Sequence, residues 1–600
     1  MLNFEFLEIL RTELAAECGI ALTPEIPPFY PETPPQGMKG DIALNCFKMA
    51  RFFKDKPENI ALKVKTILSS RDEITFAESI KGFVNLEIKP EYLHRTVNSD
   101  IEKLIKSAEV PENEKKRIVV EYSAPNTNKP MHLGHVRNNT LGLAVTSLLK
   151  KTGHHVFSVN LINDRGIHIC KSMIAYQRFG NGETPQSSKM KGDHLVGKYY
   201  VRFDQELKKQ IEALKVENPV LRDSDDEELF PKTEVGTAAQ EMLVKWENND
   251  HETVSLWKKM NSWVIEGFHE TYRRMGVSFD KIYLESDTYL LGKDIVAEGL
   301  RRGIFQKRDD GAVFIDLEKE GFGKKVLLRA DGTSVYITQD LGTTVEKNKD
   351  FSPDSQIWIV GDEQIHHFKI LFATLAKLGC KWAGNLFHLA YGMVTLPSGK
   401  MKSREGTVVD ADDLFDQMFS LAKEACSERY GENPPADLDE RCERIGMGAL
   451  KFMLLKFNPK TTMLFDPGAS LKFEGDTGPY VQYACTRVNS IEKKATAESI
   501  PLDSPADWSL LVEKLEKELT VKMFFYPRIL GEAAEKLDAS ILVNYLLDLA
   551  KSFSRFYKEF SVLSAENDAL RNARLKLCLN TRKILQDGLA TLTIKVPEAM

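Results

Sequence analysis

No C-x-x-C pair occurs in this chain of 600 residues, although it carries eight cysteines. Scattered thiols argue against a structural zinc site and for reduced, unpaired cysteines in a cytosol. No apolar run approaches the roughly 20 residues that a bilayer crossing needs. The first residues, MLNFEFLEILRTEL, hold acids at amphipathic spacing and so exclude a secretory signal. An excess of basic charge is also missing, with 81 Lys and Arg against 87 Asp and Glu. A nucleic-acid partner would therefore have to be met by a local positive field. What remains is the composition of a soluble globular protein, long enough for several domains with proper cores.

The chain is organised around residues 117–153, RIVVEYSAPNTNKPMHLGHVRNNTLGLAVTSLLKKTG. A β-branched run at 118–122 has a strand's composition. A loop with two prolines and two asparagines follows at 123–131. His132-Leu133-Gly134-His135 then opens a helix whose apolar stripe includes Leu141, Val145 and Leu148, and Gly153 stops it. A second strand is expected at 156–162. The unit reads as two parallel strands with a crossover helix, and ligands in such sheets sit beyond the carboxyl ends of the strands. Two imidazoles flank Gly134 at the helix entrance, where backbone N–H groups already favour an anion. Gly134 lets a nucleotide approach the backbone closely. Lys129 adds a full positive charge. A phosphate leaving a nucleotide needs such a preorganised donor cluster.

SAPNTNKPMHLGH resembles the adenylate-forming signature of class I aminoacyl-tRNA synthetases. Asn126 and Lys129-Pro130 resemble the arginyl-tRNA synthetase version. The rest of the chain is similar as well. Gly40-Asp41 with Ala43 and the GFVNL stretch at 82–86 resemble that family's N-terminal, tRNA-touching domain. Two helices are expected in this region, near 2–16 and 43–54.

Three acidic and aromatic features follow a polar stretch at about 181–250, which reads as a solvated insertion with no chemistry of its own. Glu285 follows a short apolar run. Tyr336 and Asp340 stand four apart and share a face if that stretch is helical. Gln364 lies at a strand-to-helix turn. Together they would make an anionic, hydrogen-bonding pocket, which is what a planar guanidinium with five donors requires. The resemblance implies the same use: Ser123, Asn126, His132, Glu285, Tyr336, Asp340 and Gln364 match positions that hold arginine. It places His132, Gly134, His135, Lys400 and Lys402 on ATP.

At 387–395 a last sheet strand is expected, followed by the basic loop KMKSREG at 400–406 and a helix capped by Asp410. This loop stands where class I synthetases carry K-M-S-K-S. Aligning Gly406 with the family glycine puts Ser403 in place of the second lysine. Lys400, Lys402 and Arg404 remain alternative phosphate contacts, and Lys129 fits a known substitution for the missing lysine. Lys129, His132, His135, Lys402, Ser403 and Arg404 are the implied catalytic set.

From about 411 the chain reads as helical, and 551–600 is locally basic, with nine Lys and Arg against five Asp and Glu. GPYVQYA, DALR at 568–571 and the closing PEAM resemble the anticodon-binding bundle. Tyr480, Gln482, Tyr483 and Arg487 are the implied tRNA contacts, with core packing as the other reading of both tyrosines.

The expected architecture is an α/β protein. A Rossmann-like parallel-sheet catalytic domain (111–410) is flanked by an α+β domain (1–110), a helical connector (411–470) and an all-α bundle (471–600). The resemblance implies a cytoplasmic, monomeric ligase that joins L-arginine to tRNA-Arg with ATP and its accompanying Mg²⁺, without zinc, a membrane or an editing domain. Another class I synthetase or a nucleotidylyltransferase would share the HLGH unit but lack the acidic set. A non-catalytic tRNA-binding protein would keep only the helical end.

Overall fold

The structure is a computed structural model that describes residues 4–35, 37–395, 397, 409–431 and 433–600. Lys400, Lys402, Ser403 and Arg404 lie outside the described residues. At the amino end, strands β1 (Pro31–Glu32), β2 (Ile42–Asn45), β3 (Ile74–Ile80) and β4 (Phe83–Ile88) form an antiparallel sheet in the order β1-β2-β4-β3. The helix expected near 43–54 is split. Ile42, Ala43 and Leu44 are buried and pair with β4, so only Phe47–Phe53 is left to coil. Tertiary pairing here outweighs local preference.

The central sheet holds β5 (Arg117–Glu121), β6 (His155–Ile162) and β7 (Lys281–Leu284). An antiparallel excursion follows through β8 (Gln306–Lys307), β9 (Val313–Leu317) and β10 (Gly323–Leu328). The chain then returns to the central sheet as β11 (Ser355–Gly361) and β12 (Leu386–Tyr391). All five central strands are parallel, in the order β12-β11-β5-β6-β7. From β5 the chain builds outward through β6 and β7, then jumps back to lay β11 on the other side. That reversal leaves a crevice beyond the carboxyl ends of β5 and β11, where open parallel sheets bind ligands. The strand expected at 387–395 breaks after Tyr391. A Cβ at Gly392 would lie 2.6 Å from the Thr462 amide, and the close approach turns the chain into β13 (Val394–Thr395), which pairs with β14 (Met463–Leu464).

The insertion between β6 and β7 is helical. Helices Gly192–Glu217 and Glu234–Glu247 pack on Ile167–Phe179 and His251–Met275. Beyond Ala411–Tyr430 and Leu438–Leu455, the carboxyl end is a bundle of Gly478–Ala497, Lys514–Phe524, Tyr526–Glu535, Ala539–Glu559 and Asp568–Thr591. Among the described residues no helix is long and apolar enough to cross a membrane.

Buried polar groups tie these layers together. Arg137, fully buried on helix Leu133–Lys151, donates to the carbonyls of Leu454, Pro459 and Thr461. Lys451 donates to the carbonyls of Met275 (2.7 Å) and Thr593 (2.9 Å), near the carboxyl ends of two helices. A cation is favoured there by the helix dipoles, although burial lowers its pKa to about 8. The amino-terminal domain docks on the bundle through Asp41 and Lys517 (2.8 Å) and, from helix Pro90–Asn98, through His94 Nδ1 and Thr520 Oγ1 (2.8 Å).

Burial lowers the His94 pKa from its ordinary 6.5 to about 4. The unfolded chain therefore takes up this proton at a higher pH than the folded one. Its contribution to stability is present above pH 6.5 and is lost as pH falls towards 4. Tm should drop across that interval, and His94→Gln should drop less steeply. Equal slopes for the two proteins would count against an uncharged His94 at this junction.

Candidate active site

The loop after β5 starts with two consecutive left-handed residues, Ser123 (φ 83°) and Ala124 (φ 45°). Such backbone costs about 1–3 kcal/mol per residue and persists only where its surroundings over-determine it. Here two asparagines do so. Asn138 Oδ1 accepts the Ser123 amide (2.6 Å) and Asn160 Oδ1 accepts the Ala124 amide (3.0 Å). The Asn138 amide group in turn donates to Ile359 of β11 (2.7 Å). The crevice is thus stitched across β5, β6 and β11. Asn126 is exposed and bridges Asn163 at the end of β6. The Ser123 hydroxyl instead turns inward, buried against the Tyr272 hydroxyl at 2.7 Å. This hydroxyl, expected to hold arginine, is thus turned away from the crevice.

His132 is the N-cap of helix Leu133–Lys151. Its Nδ1 accepts the Gly134 amide (3.1 Å), and its own amide donates to His135 Nδ1 (3.2 Å), a reciprocal capping box built from imidazoles. Because both Nδ1 atoms accept, each neutral ring carries its proton on Nε2. Burial holds the rings in that state. His132 is lowered to about 4 by burial and then by the Lys129 charge. His135 lies well below its ordinary value for the same reasons, with His132 adding. The pair offers two Nε2–H donors without adding charge. Lys129 beside them supplies the cation.

A cleft of about 220 Å³ runs from Lys129 and His132 to His194, Tyr200 and Asp410. The segment that follows the 400–406 loop closes one side of it. Leu133 donates to the Val409 carbonyl (3.1 Å), Ala411 donates to the Met131 carbonyl (2.9 Å), and Asp410 caps helix Ala411–Tyr430 as the sequence suggests.

The acidic residues gather along the same carboxyl edge of the sheet, after β7 and beside the turn that follows β11. Glu285 directly follows β7, and its pKa is pushed up to about 7, first by burial, with Asp164 and Asp340 adding and Arg165 opposing. Asp340 lies one turn into helix Tyr336–Phe351, where His367 Nε2 meets its Oδ2 at 2.6 Å. That bond raises the His367 pKa. Two glycines let helix Leu291–Arg301 pack closely on helix Tyr336–Phe351. A Cβ at Gly292 would sit 1.8 Å from the Thr338 carbonyl, and one at Gly342 would sit 2.6 Å from the Gly292 amide. Tyr336 is 78 % exposed, and Gln364 is exposed at the head of helix Ile365–Lys377.

On the bundle, Tyr483 carries the guanidinium groups of Arg429 (5.1 Å) and Arg487 (4.7 Å) over its ring, and Arg487 also covers Tyr557 (5.1 Å). The Tyr480 hydroxyl reaches Ser554 at 3.1 Å. Gln482 does not belong to this surface. It is fully buried and donates to the carbonyls of Arg444 and Lys595, so its role is packing.

Comparison with known proteins decides the family. Residues 98–466 match the tRNA synthetases class I (R), catalytic domain, residues 481–600 the DALR anticodon binding domain, and residues 8–88 the arginyl tRNA synthetase N terminal domain. The chain is 44% identical over 567 residues to the arginine–tRNA ligase of Parabacteroides distasonis, covering 94% of each. It is 44% identical over 569 residues to that of Amoebophilus asiaticus, again with 94% of each covered. The arginyl-tRNA synthetase structure from Thermus thermophilus superimposes with a TM-score of 0.79 at 25% identity, covering 100% of both chains. This chain belongs to the arginyl-tRNA synthetases. Its parallel sheet, its amino-terminal domain and its helical carboxyl region match that family's solved fold.

Several residues of this arginyl-tRNA synthetase site carry no signal in the sequence. Asn138 lies in the polar run at 137–140 and Asn160 between apolar residues of β6, and only the fold reveals that they hold strained amides. Asp164 accepts from the Ser286 amide (2.8 Å) and hydroxyl (2.7 Å), which fixes the turn that carries Glu285. Lys191 and His194 lie in the insertion that reads as inert, yet His194 lines the cleft beside Lys129 and His132, and Lys191 pairs with Asp412 behind it.

Proposed function

We propose that this arginyl-tRNA synthetase activates L-arginine at the crevice of β5 and β11 and transfers it to tRNA-Arg. The arginine carboxylate attacks the α-phosphate of ATP, pyrophosphate leaves, and the adenylate passes arginine to the terminal ribose of the tRNA. Mg²⁺ arrives as part of the nucleotide substrate and needs no dedicated protein cage. The His132 and His135 Nε2–H groups and Lys129 meet the phosphates with Gly134 beneath them, and the 400–406 loop closes over them with Lys400, Lys402 and Arg404 as alternative contacts and Ser403 where the family's second lysine stands. Most of the rate comes from positioning and charge stabilisation.

Glu285 and Asp340 take the guanidinium, with Asn126, Tyr336 and Gln364 around the substrate. The observation that carries the choice of amino acid is that pair of carboxylates, close enough for Asp340 to raise the Glu285 pKa. Arg487 and Tyr483, with Tyr480 beside them, offer stacking faces and charge to splayed tRNA bases. In this reading, residues 1–110, 111–410, 411–470 and 471–600 are the four domains, and the protein is a cytoplasmic monomer.

ATP–pyrophosphate exchange over all twenty amino acids, with and without tRNA-Arg, tests the reading. Exchange with arginine alone is expected. Lysine leaves acceptors unpaired and should be rejected by roughly 10⁴-fold or more. Exchange with a different amino acid would overturn the pocket assignment.

A further inference from the structure

The insertion helix Gly192–Glu217 starts beside the phosphate cleft, and its first turn meets the first turn of helix Ala411–Tyr430. Lys191 Nζ lies 2.5 Å from Asp412 Oδ2, 3.2 Å from Asp193 Oδ2 and 2.6 Å from Thr271 Oγ1. His194 Nε2 lies 3.2 Å from Asp412 Oδ2 and 3.5 Å from Asp410 Oδ1. Asp193 is fully buried, and its carboxylate is backed by Gly267, where a Cβ would come within 2.4 Å of Oδ1. Asp193, His194 and Asp412 have the spacing of a metal site. The Lys191 ammonium already stands among their carboxylates, so these charges are met without an ion.

The position of this cluster gives it a consequence for the reaction. Asp410 bridges His132 through the backbone and lines the same cleft as Lys129, His132 and His194. Asp410 therefore stands at the edge of the site assigned to a triphosphate, with Asp412 two residues behind it on the same helix start. Uncompensated, they would repel it. We infer that Lys191 and His194 are positioning residues, Lys191 holding Asp412 and Asp193 and His194 holding Asp412 and Asp410, which keep the phosphate site from turning electronegative and the first signature aligned with the segment after the second. The protonation states of Asp412 and His194 agree with this geometry, while burial raises Asp410 above its ordinary value against the His194 charge. Asp412 is lowered to about 2 chiefly against its burial by His194 and Lys191, and His194 is raised above its ordinary value by Asp412. Lys191 and Asp412 stand 221 positions apart, so their pairing is a property of the fold.

The inference rests on the proposed phosphate site, and the test separates the two. Arginine-dependent pyrophosphate exchange is measured for the full chain with tRNA-Arg, and for Lys191→Met, His194→Gln and Lys191→Met with Asp412→Asn. Two unit charges at protein-surface distances interact strongly enough that Lys191→Met should raise the ATP KM about tenfold or more. The arginine KM should stay close to that of the parent. His194→Gln, at a partly exposed residue, should move the ATP KM the same way by less. The added Asp412→Asn removes the stranded charge and should recover most of the loss, as should Lys191→Arg alone. ATP and arginine KM rising together, or no recovery in the double variant, would reduce the cluster to a packing role and overturn the inference. An unchanged ATP KM would overturn it too. If the parent protein showed no exchange with arginine, the functional reading would fall first, and this inference with it.

Discussion

His135→Ala is expected to lower kcat for arginine-dependent pyrophosphate exchange by about 10²–10³-fold, the usual loss when one preorganised donor to a developing oxyanion is removed. The arginine KM should hardly change. The reasoning begins at the helix cap. His135 Nδ1 is occupied by the His132 amide at 3.2 Å, so the ring can face a phosphate only with Nε2–H. Burial keeps the ring uncharged, which fixes that tautomer across the working pH range. A neutral donor gains most where negative charge grows, which is at the α-phosphate as the carboxylate adds. The substitution also deletes half of the capping box, a loss of about 1 kcal/mol in stability. A Tm measurement separates that structural cost from the catalytic one. Should kcat fall by less than tenfold while Tm drops, His135 would be a capping residue and the phosphate assignment would pass to His132 and Lys129 alone.

How much of this site can be read without coordinates depends on how local each relationship is. The strand, loop and helix at 117–151 are written in consecutive residues: a β-branched run, turn residues, a helical stripe. The Tyr336 and Asp340 spacing is likewise local, and helix Tyr336–Phe351 forms as their spacing requires. Asp410 caps its helix through its own side chain and the next amides. Relationships across the fold are different. Gln482 sits in a stretch that resembles an anticodon-binding helix, but the face it occupies is fixed by Arg444 and Lys595, far away in the chain. Ser123 stands at the mouth of the crevice in sequence, yet its left-handed backbone turns the hydroxyl towards Tyr272. Ile42–Asn45 coils or extends according to whether β4 is there to pair with it. Lys191 and His194 read as ordinary surface charges until the insertion folds back on Asp410 and Asp412.

Asp340→Ala should raise the arginine KM by about 100-fold, the scale of losing a charge-assisted, two-point hydrogen bond to a guanidinium. The ATP KM should stay nearly constant, because the phosphate cluster lies at the helix of His132 and not at the helix of Asp340. The pairing with His367 sharpens this expectation. His367 meets Oδ2 at 2.6 Å, which fixes the carboxylate's plane and directs Oδ1 as the second acceptor. Glu285 adds a pH signature that separates recognition from chemistry. Its pKa of about 7 means that the empty site loses a negative charge as pH falls below 7. Arginine stays cationic throughout, so its affinity must fall with that charge. Its KM should therefore climb on acidification, by up to tenfold per pH unit for one coupled proton. Glu285→Gln should raise the KM at pH 8 and flatten its dependence below pH 7. The imidazole pair does not titrate there, so kcat at saturating arginine should hold as the KM climbs. A parallel fall of kcat would place the titrating group in the chemistry instead, and a flat KM in the parent protein would remove Glu285 from the guanidinium site.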